Sequence, residues 1–260
     1  MITSRSNTKI KHLTQLSKSA VRKEKKLTII EGYREINRAI QSGWVFDELF
    51  VYEALAADKL PFLLKSINND CNVEYVNESV FSSIAYREGS DGLLAVARLP
   101  EIRLENISLG ENTLIIVLES VEKPGNLGAI MRTADAAAAD AVIVCDPSTD
   151  IFNPNAIRAS LGCIFSCPVC ATDSATAYKW LKSKKIQIYA TSLEAAIDYL
   201  DGDYRQPSAF VMGTEASGLS EFWTSNSDQN IKIEMRGIAD SLNVSVATAV
   251  VVFEALRQRR

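Results

Sequence analysis

The feature that most constrains the fold is a series of short apolar runs in the second half of the chain, at residues 114–118, 141–145, 186–190, 209–212 and 231–233, broken only by Gln187 and Lys232. A strand with one wet face alternates apolar and polar residues, whereas a run that is apolar at every position has no side left for solvent. Such runs, separated by helical segments, predict an α/β domain with a parallel sheet buried on both faces. The closing segment, 243–260, has a wide apolar face, neither glycine nor proline, and the ending Arg257-Gln258-Arg259-Arg260. These features predict a C-terminal helix.

The first part of the chain reads as a second α/β unit. Ile10, Leu13 and Leu16 fall at helical spacing within 7–20, and residues 27–30 read as a strand feeding the Glu31-Gly32 turn. A helix over 33–41 is stopped by Gly43. Residues 48–52, 73–76 and 93–97 read as strands and 61–67 as a helix. The polar stretch from Leu99-Pro100 to Asn112 has the composition of a linker. The expected organisation is therefore a domain over 1–98, a linker over 99–112 and a domain over 113–260. A chain of 260 residues is long enough for two independent cores.

The net charge of −4 argues against a nucleic-acid partner only if the charge is spread evenly. It is not: Arg5, Lys9, Lys11, Lys18, Arg22, Lys23, Lys25, Lys26, Arg34 and Arg38 face only Glu24, Glu31 and Glu35 in the same stretch. By itself this is either a solvated helix face or a phosphate-binding one. The amino-terminal residues have no apolar signal core, and no apolar run approaches the ~18 residues of a membrane span, so a cytoplasmic protein is expected. The five irregularly spaced cysteines agree, reading as reduced thiols.

The residue inventory narrows the chemistry. The sole histidine, His12, lies in the basic amino-terminal helix, which excludes a Ser-His or Cys-His pair and a multi-histidine metal site in the second domain. Cys163, Cys167 and Cys170 lack an evident fourth ligand, and the apolar run 161–171 reads as a buried strand, so no metal is expected. The loop 213–218, Gly-Thr-Glu-Ala-Ser-Gly, is followed by Leu219-Ser220 where a phosphate loop needs Lys-Ser/Thr. No Gly-x-Gly-x-x-Gly follows a strand, so a dinucleotide site has no basis.

Three segments remain, each at a strand end or helix start. Residues 119–135 read ESVEKPGNLGAIMRTAD, with a turn at Pro124-Gly125, Asn126 as a helix cap and Arg132 nearly two turns into the helix. Residues 210–219 read FVMGTEASGL, with Glu215 between two glycines that permit close backbone approach. Residues 233–254 read IEMRGIADSLNVSVATAVVVFE, with Ser241 and Asn243 ahead of the last helix. Taken singly, the first is equally a plain capped helix with an exposed arginine, and Ser241 and Asn243 read first as N-caps.

In order and spacing the three segments resemble the motifs of SpoU/TrmH-type SPOUT RNA methyltransferases. Residues 153–168 resemble the stretch after that family's first motif. The amino-terminal part, with Ser4, Asn7, Lys9 and Ile30-Glu31-Gly32, looks like its L30e-like substrate-binding domain. Glu234 departs from the pattern, standing where the family often has proline. The resemblance implies an L30e-like domain followed by a SPOUT domain with a deep trefoil knot, and S-adenosylmethionine-dependent methylation of a ribose 2′-hydroxyl. It favours 23S rRNA over tRNA as substrate, and an RNA-binding protein without activity is the remaining alternative. It implies that Arg132, Asn126, Glu215, Ser241 and Asn243 form the reaction site. The cofactor is expected on Thr191, Ser192, Leu193, Gly213, Glu215, Gly218, Ile233, Met235, Gly237, Ser241, Leu242 and Val244. RNA is expected on Arg5, Lys9, Lys11, Arg22, Lys23, Lys25, Lys26 and Arg158. It further implies a homodimer, to which the apolar excess of the last helix also points, and no metal.

Overall fold

A computed structural model of the chain describes residues 1–86, 89–192, 196–214 and 218–260. These fold as two units, Met1–Glu101 with Phe152–Ser166, and Ile102–Ile151 with Cys167–Arg260. The first unit runs α1 (Thr8–Gln15), α2 (Ser19–Lys25), β1 (Leu27–Glu31), α3 (Tyr33–Gln41), β2 (Phe46–Val51), α4 (Glu53–Ala56), α5 (Leu60–Leu64), β3 (Asn72–Tyr75), α6 (Glu78–Ile84) and β4 (Leu93–Arg98). Its sheet has the order β1-β4-β2-β3, antiparallel at the first two pairings and parallel between β2 and β3.

The single helix expected over 7–20 is two helices. After α1 the chain turns, and Arg22 reaches back from α2 so that Nη1 donates to the carbonyl oxygens of Leu16 and Ser17 at 2.7 and 2.8 Å. Carbonyls that end a helix lack partners within it, and the 1 % exposed guanidinium supplies them. Helix α6 was not expected from the sequence because its apolar face, Val80, Phe81 and Ile84, is too short to show a period. Asn77 caps it, Oδ1 accepting from the Val80 amide at 3.0 Å, and that face joins Ile10, Leu13 and Leu16 in one core.

The second unit continues β5 (Leu114–Glu119), α7 (Pro124–Ala136) and β6 (Ala141–Cys145); after α8 (Pro154–Ala159), which belongs to the first unit, come β7 (Val169–Thr172), α9 (Ser174–Ser183), β8 (Gln187–Thr191), β9 (Ile197–Asp198), β10 (Ser208–Met212), α10 (Glu221–Asn226), β11 (Gln229–Lys232) and α11 (Val244–Gln258). The expected parallel sheet is present. Its order is β7-β6-β5-β10-β8-β11-β9, and every pairing is parallel. All six residues of β5 and all five of β6 and β10 are buried. Each such aliphatic side chain contributes about 1.5–3 kcal/mol of transfer free energy.

Two stretches differ from the expected boundaries. Residues 99–112 look like a polar linker by composition, yet Leu104 and Ile107 are buried and pack with Ile115 and Ile143 in the second unit's core. Residues 152–166, continuous in sequence with the second domain, are bonded into the first unit. There Thr28 donates its hydroxyl to Phe152 O at 2.7 Å, Arg38 Nη1 donates to Leu161 O at 2.9 Å, and Trp44 meets the Phe152 and Phe165 rings edge-on. The strand expected over 161–171 shrinks to β7, since a 3-10 turn occupies Cys163–Phe165. Among the described residues no three His, Cys, Asp or Glu side chains gather as a metal site, and no helix is long and apolar enough to cross a membrane. Burial pushes the Cys167 thiol up to about 12, which leaves it a protonated donor to Ala139 O.

Candidate active site

In a parallel sheet all strands end on one edge, and here the register aligns Glu119 with Cys145, Cys145 with Thr172, Leu118 with Met212, and Thr191 with Ile231. The three motif segments therefore leave the sheet on the same edge. Strands β5 and β10 are neighbours although far apart in sequence, and the chain adds β6 and β7 beyond β5 before crossing to place β8, β9 and β11 beyond β10. Ligands of open α/β sheets sit at such a switch point.

The first motif leaves β5 through Ser120, held at φ 53° with its amide donating to Cys145 O at 2.9 Å. Pro124 opens α7, and Lys123 is its N-cap, which corrects the expectation that Asn126 caps this helix. Asn126 lies in the first turn instead. Its Oδ1 accepts from Asn243 Nδ2 at 3.1 Å. Asn243 is the N-cap of α11, its Oδ1 accepting from the Ser245 amide at 3.0 Å and the Ser245 hydroxyl at 2.6 Å. One side chain thus caps the last helix and joins the third motif to the first, 117 residues away.

Arg132 is exposed on α7 and, among the described residues, has neither a hydrogen bond nor an ion pair. Ser241 is exposed in the loop two residues before Asn243. Glu215 and Leu193 lie outside the described residues. Of the expected cofactor residues, Thr191 ends β8 with its hydroxyl donating to Val211 O at 2.9 Å, and the Ser192 amide donates to Ile231 O at 3.0 Å. Gly213 and Gly218 are brought together by paired bonds between Thr214 and Gly218 at 3.0 and 3.1 Å. A Cβ on Gly213 would stand 2.2 Å from the Gly218 carbonyl carbon, so only glycine lets this loop close. Ile233, Met235, Gly237 and Leu242 follow in the irregular segment between β11 and α11, and Val244 is buried as the first residue of α11.

The expected RNA contacts divide. Lys11, Lys23, Lys25 and Lys26 are exposed. Arg22 is not a surface cation, because its guanidinium is buried on carbonyls of its own turn. Lys9 is paired with Glu74 and Glu48, which raise its pKa. Arg5 donates to Ser79, and Arg158 donates to Tyr86 O at 3.1 Å. A residue the sequence reading passed over is Glu119. It is buried at the end of β5, with both carboxylate oxygens bonded to Ser220. Its signal was a lone acid closing an apolar strand.

More than half of the chain, residues 113–253, matches the SpoU rRNA Methylase family, and residues 7–95 match the MRM3-like substrate binding domain. The chain belongs to the SpoU rRNA methylase family. Among curated SpoU relatives, the 23S rRNA (guanosine(2553)-2′-O)-methyltransferase RlmP of Bacillus subtilis is 29 % identical over 97 % of both chains. The 23S rRNA (guanosine-2′-O-)-methyltransferase RlmB of Photobacterium profundum is 34 % identical, over 82 % of this chain and 90 % of its own. The crystal structure of the AdoMet-bound rRNA methyltransferase from Sinorhizobium meliloti superposes with a TM-score of 0.90 at 29 % identity, covering 98 % of this chain and 97 % of that one.

Proposed function

We propose that this SpoU-family chain transfers the methyl group of S-adenosylmethionine to a ribose 2′-hydroxyl of 23S rRNA. The observation that carries the reading is the Asn126–Asn243 bond, which joins two of the three motifs that leave the same edge of the sheet. The chain fits the cofactor: Gly213, Thr214 and Gly218, in close backbone contact, and the ends of β8 and β11 lie on the edge where the strands end. Thr191, Ser192, Leu193, Gly213, Glu215, Gly218, Ile233, Met235, Gly237, Ser241, Leu242 and Val244 hold it in this reading. S-adenosylmethionine supplies a methyl group already activated on sulfonium, so positioning is the main demand on the protein.

Arg132 binds the phosphate next to the target ribose and stabilises charge developing on the 2′-oxygen. A guanidinium keeps its proton and is a poor general base, which favours this electrostatic role. Asn126, Ser241 and Asn243 orient the hydroxyl, and Glu215 holds the loop. Residues 1–98 grip RNA through Lys11, Lys23, Lys25 and Lys26. The reading further includes a trefoil-knotted carboxyl-terminal region, a homodimer and a cytoplasmic location. The dimer is supported by α11, which buries Val244, Val251 and Ala255 on one face and exposes Val246 and Phe253 on the other. The decisive experiment incubates the protein with labelled S-adenosylmethionine and total RNA from a strain lacking its gene. Label should enter 23S rRNA at one 2′-O position, and label confined to tRNA, or none at all, overturns the assignment.

A further inference from the structure

We propose that Glu119 is a positioning residue for the cofactor loop, an inference that rests on the methyltransferase reading above. Glu119 closes β5, whose other residues are all apolar, and is only 8 % exposed. A carboxylate in that place is costly unless its oxygens are bonded. Both are bonded to one residue. Oε2 accepts from the Ser220 amide at 2.7 Å, and Oε1 accepts from the Ser220 hydroxyl at 2.6 Å. Ser220 stands at the N-cap of α10, yet its side chain makes no cap bond; the hydroxyl is spent on the carboxylate instead.

Hydrogen bonds to an ionised acceptor are the strong ones, and two on one residue fix its direction as well as its place. Register puts Met212 beside Leu118, so the loop leaves β10 next to Glu119 and returns to it at Ser220. Between these points the backbones of Gly213 and Gly218 are already in contact. Farther along α10, Trp223 Nε1 donates to Ser174 Oγ at 3.0 Å, and that hydroxyl donates to Asp146 at 2.6 Å. Helix α10 is thus tied to the strand edge at two points, and the tie nearer the glycine loop is Glu119. With its oxygens occupied and little exposure, Glu119 acts on the cofactor only through the loop. It joins the strand that begins the first motif to the end of the second.

The test compares wild type, Glu119→Gln and Ser220→Ala. Binding of S-adenosylmethionine and S-adenosylhomocysteine is measured by calorimetry, and the methyl-transfer kinetics with each substrate varied in turn. Glu119→Gln loses one of the two acceptors, so cofactor affinity should fall by about tenfold or more, and Ser220→Ala should cause a smaller fall. The KM for S-adenosylmethionine should rise by the same factor, with kcat at saturation and the KM for RNA within about threefold of wild type. The double variant should be no worse than Glu119→Gln alone, because both changes break one contact. Ser220 is exposed, so its variant decides the matter if Glu119→Gln does not fold. Wild-type cofactor affinity in the variants, or a kcat loss with KM unchanged, overturns this proposal alone. A wild-type protein that binds neither compound overturns the methyltransferase reading and the proposal with it.

Discussion

Arg22 and Arg132 carry the same guanidinium in opposite settings. Arg22 is buried on two carbonyls, whereas Arg132 is exposed and unbonded among the described residues. Removing Arg22 leaves buried acceptors without donors, so Arg22→Ala should cost about 2–3 kcal/mol, visible as a lower denaturation midpoint. Its cofactor affinity, measured by calorimetry, should stay at the wild-type level. Arg132→Ala should do the reverse, holding the midpoint within about 0.5 kcal/mol while methyl transfer falls by ~100-fold or more. Wild-type turnover by that variant would remove Arg132 from the reaction site. Sequence listed both arginines as candidate functional cations. Side-chain burial separates them, and burial depends on which turn folds back on which helix.

At the scale of elements, α2 and α11 show how far periodicity reaches. Helix α2 presents Lys23 and Lys25, with Lys26 just past its end, all exposed, while Arg22 faces inward. Reversing the three lysines to glutamate should weaken RNA binding and flatten its dependence on salt by about three units of log–log slope, each lysine having displaced about one counterion. A filter-binding series across salt concentrations reads this, and an unchanged slope would make the basic segment a solvated face only. Helix α11 was legible because fifteen residues carry a pattern that seven, as in α6, do not. Strands β5, β6 and β10 were legible for a related reason, since burial on both faces leaves a continuous apolar run. Composition misled at 99–112, where polar residues outnumber apolar ones but Leu104 and Ile107 still reach the core.

For the whole molecule, the apolar faces of α11 bear on assembly. Sedimentation at micromolar concentration should give twice the 28.6 kDa chain mass. Phe253→Glu combined with Val246→Glu should shift the species to the monomer mass, since a charge on that face cannot be buried without a partner. A wild-type monomer would remove the dimer from the proposal. The sequence by itself determined the parallel sheet, the carboxyl-terminal helix and the three motif segments, because each rests on local spacing and side-chain type. Only the tertiary structure decided that Asn126 answers Asn243 across 117 residues, that residues 152–166 fold with the first unit, and that Glu119 holds Ser220. Those contacts arise where strand order departs from chain order, and no local spacing encodes which strand lies beside which. The strand neighbours are chosen when apolar faces are buried together, and the polar side chains at their ends then bond to whatever that packing brings within reach.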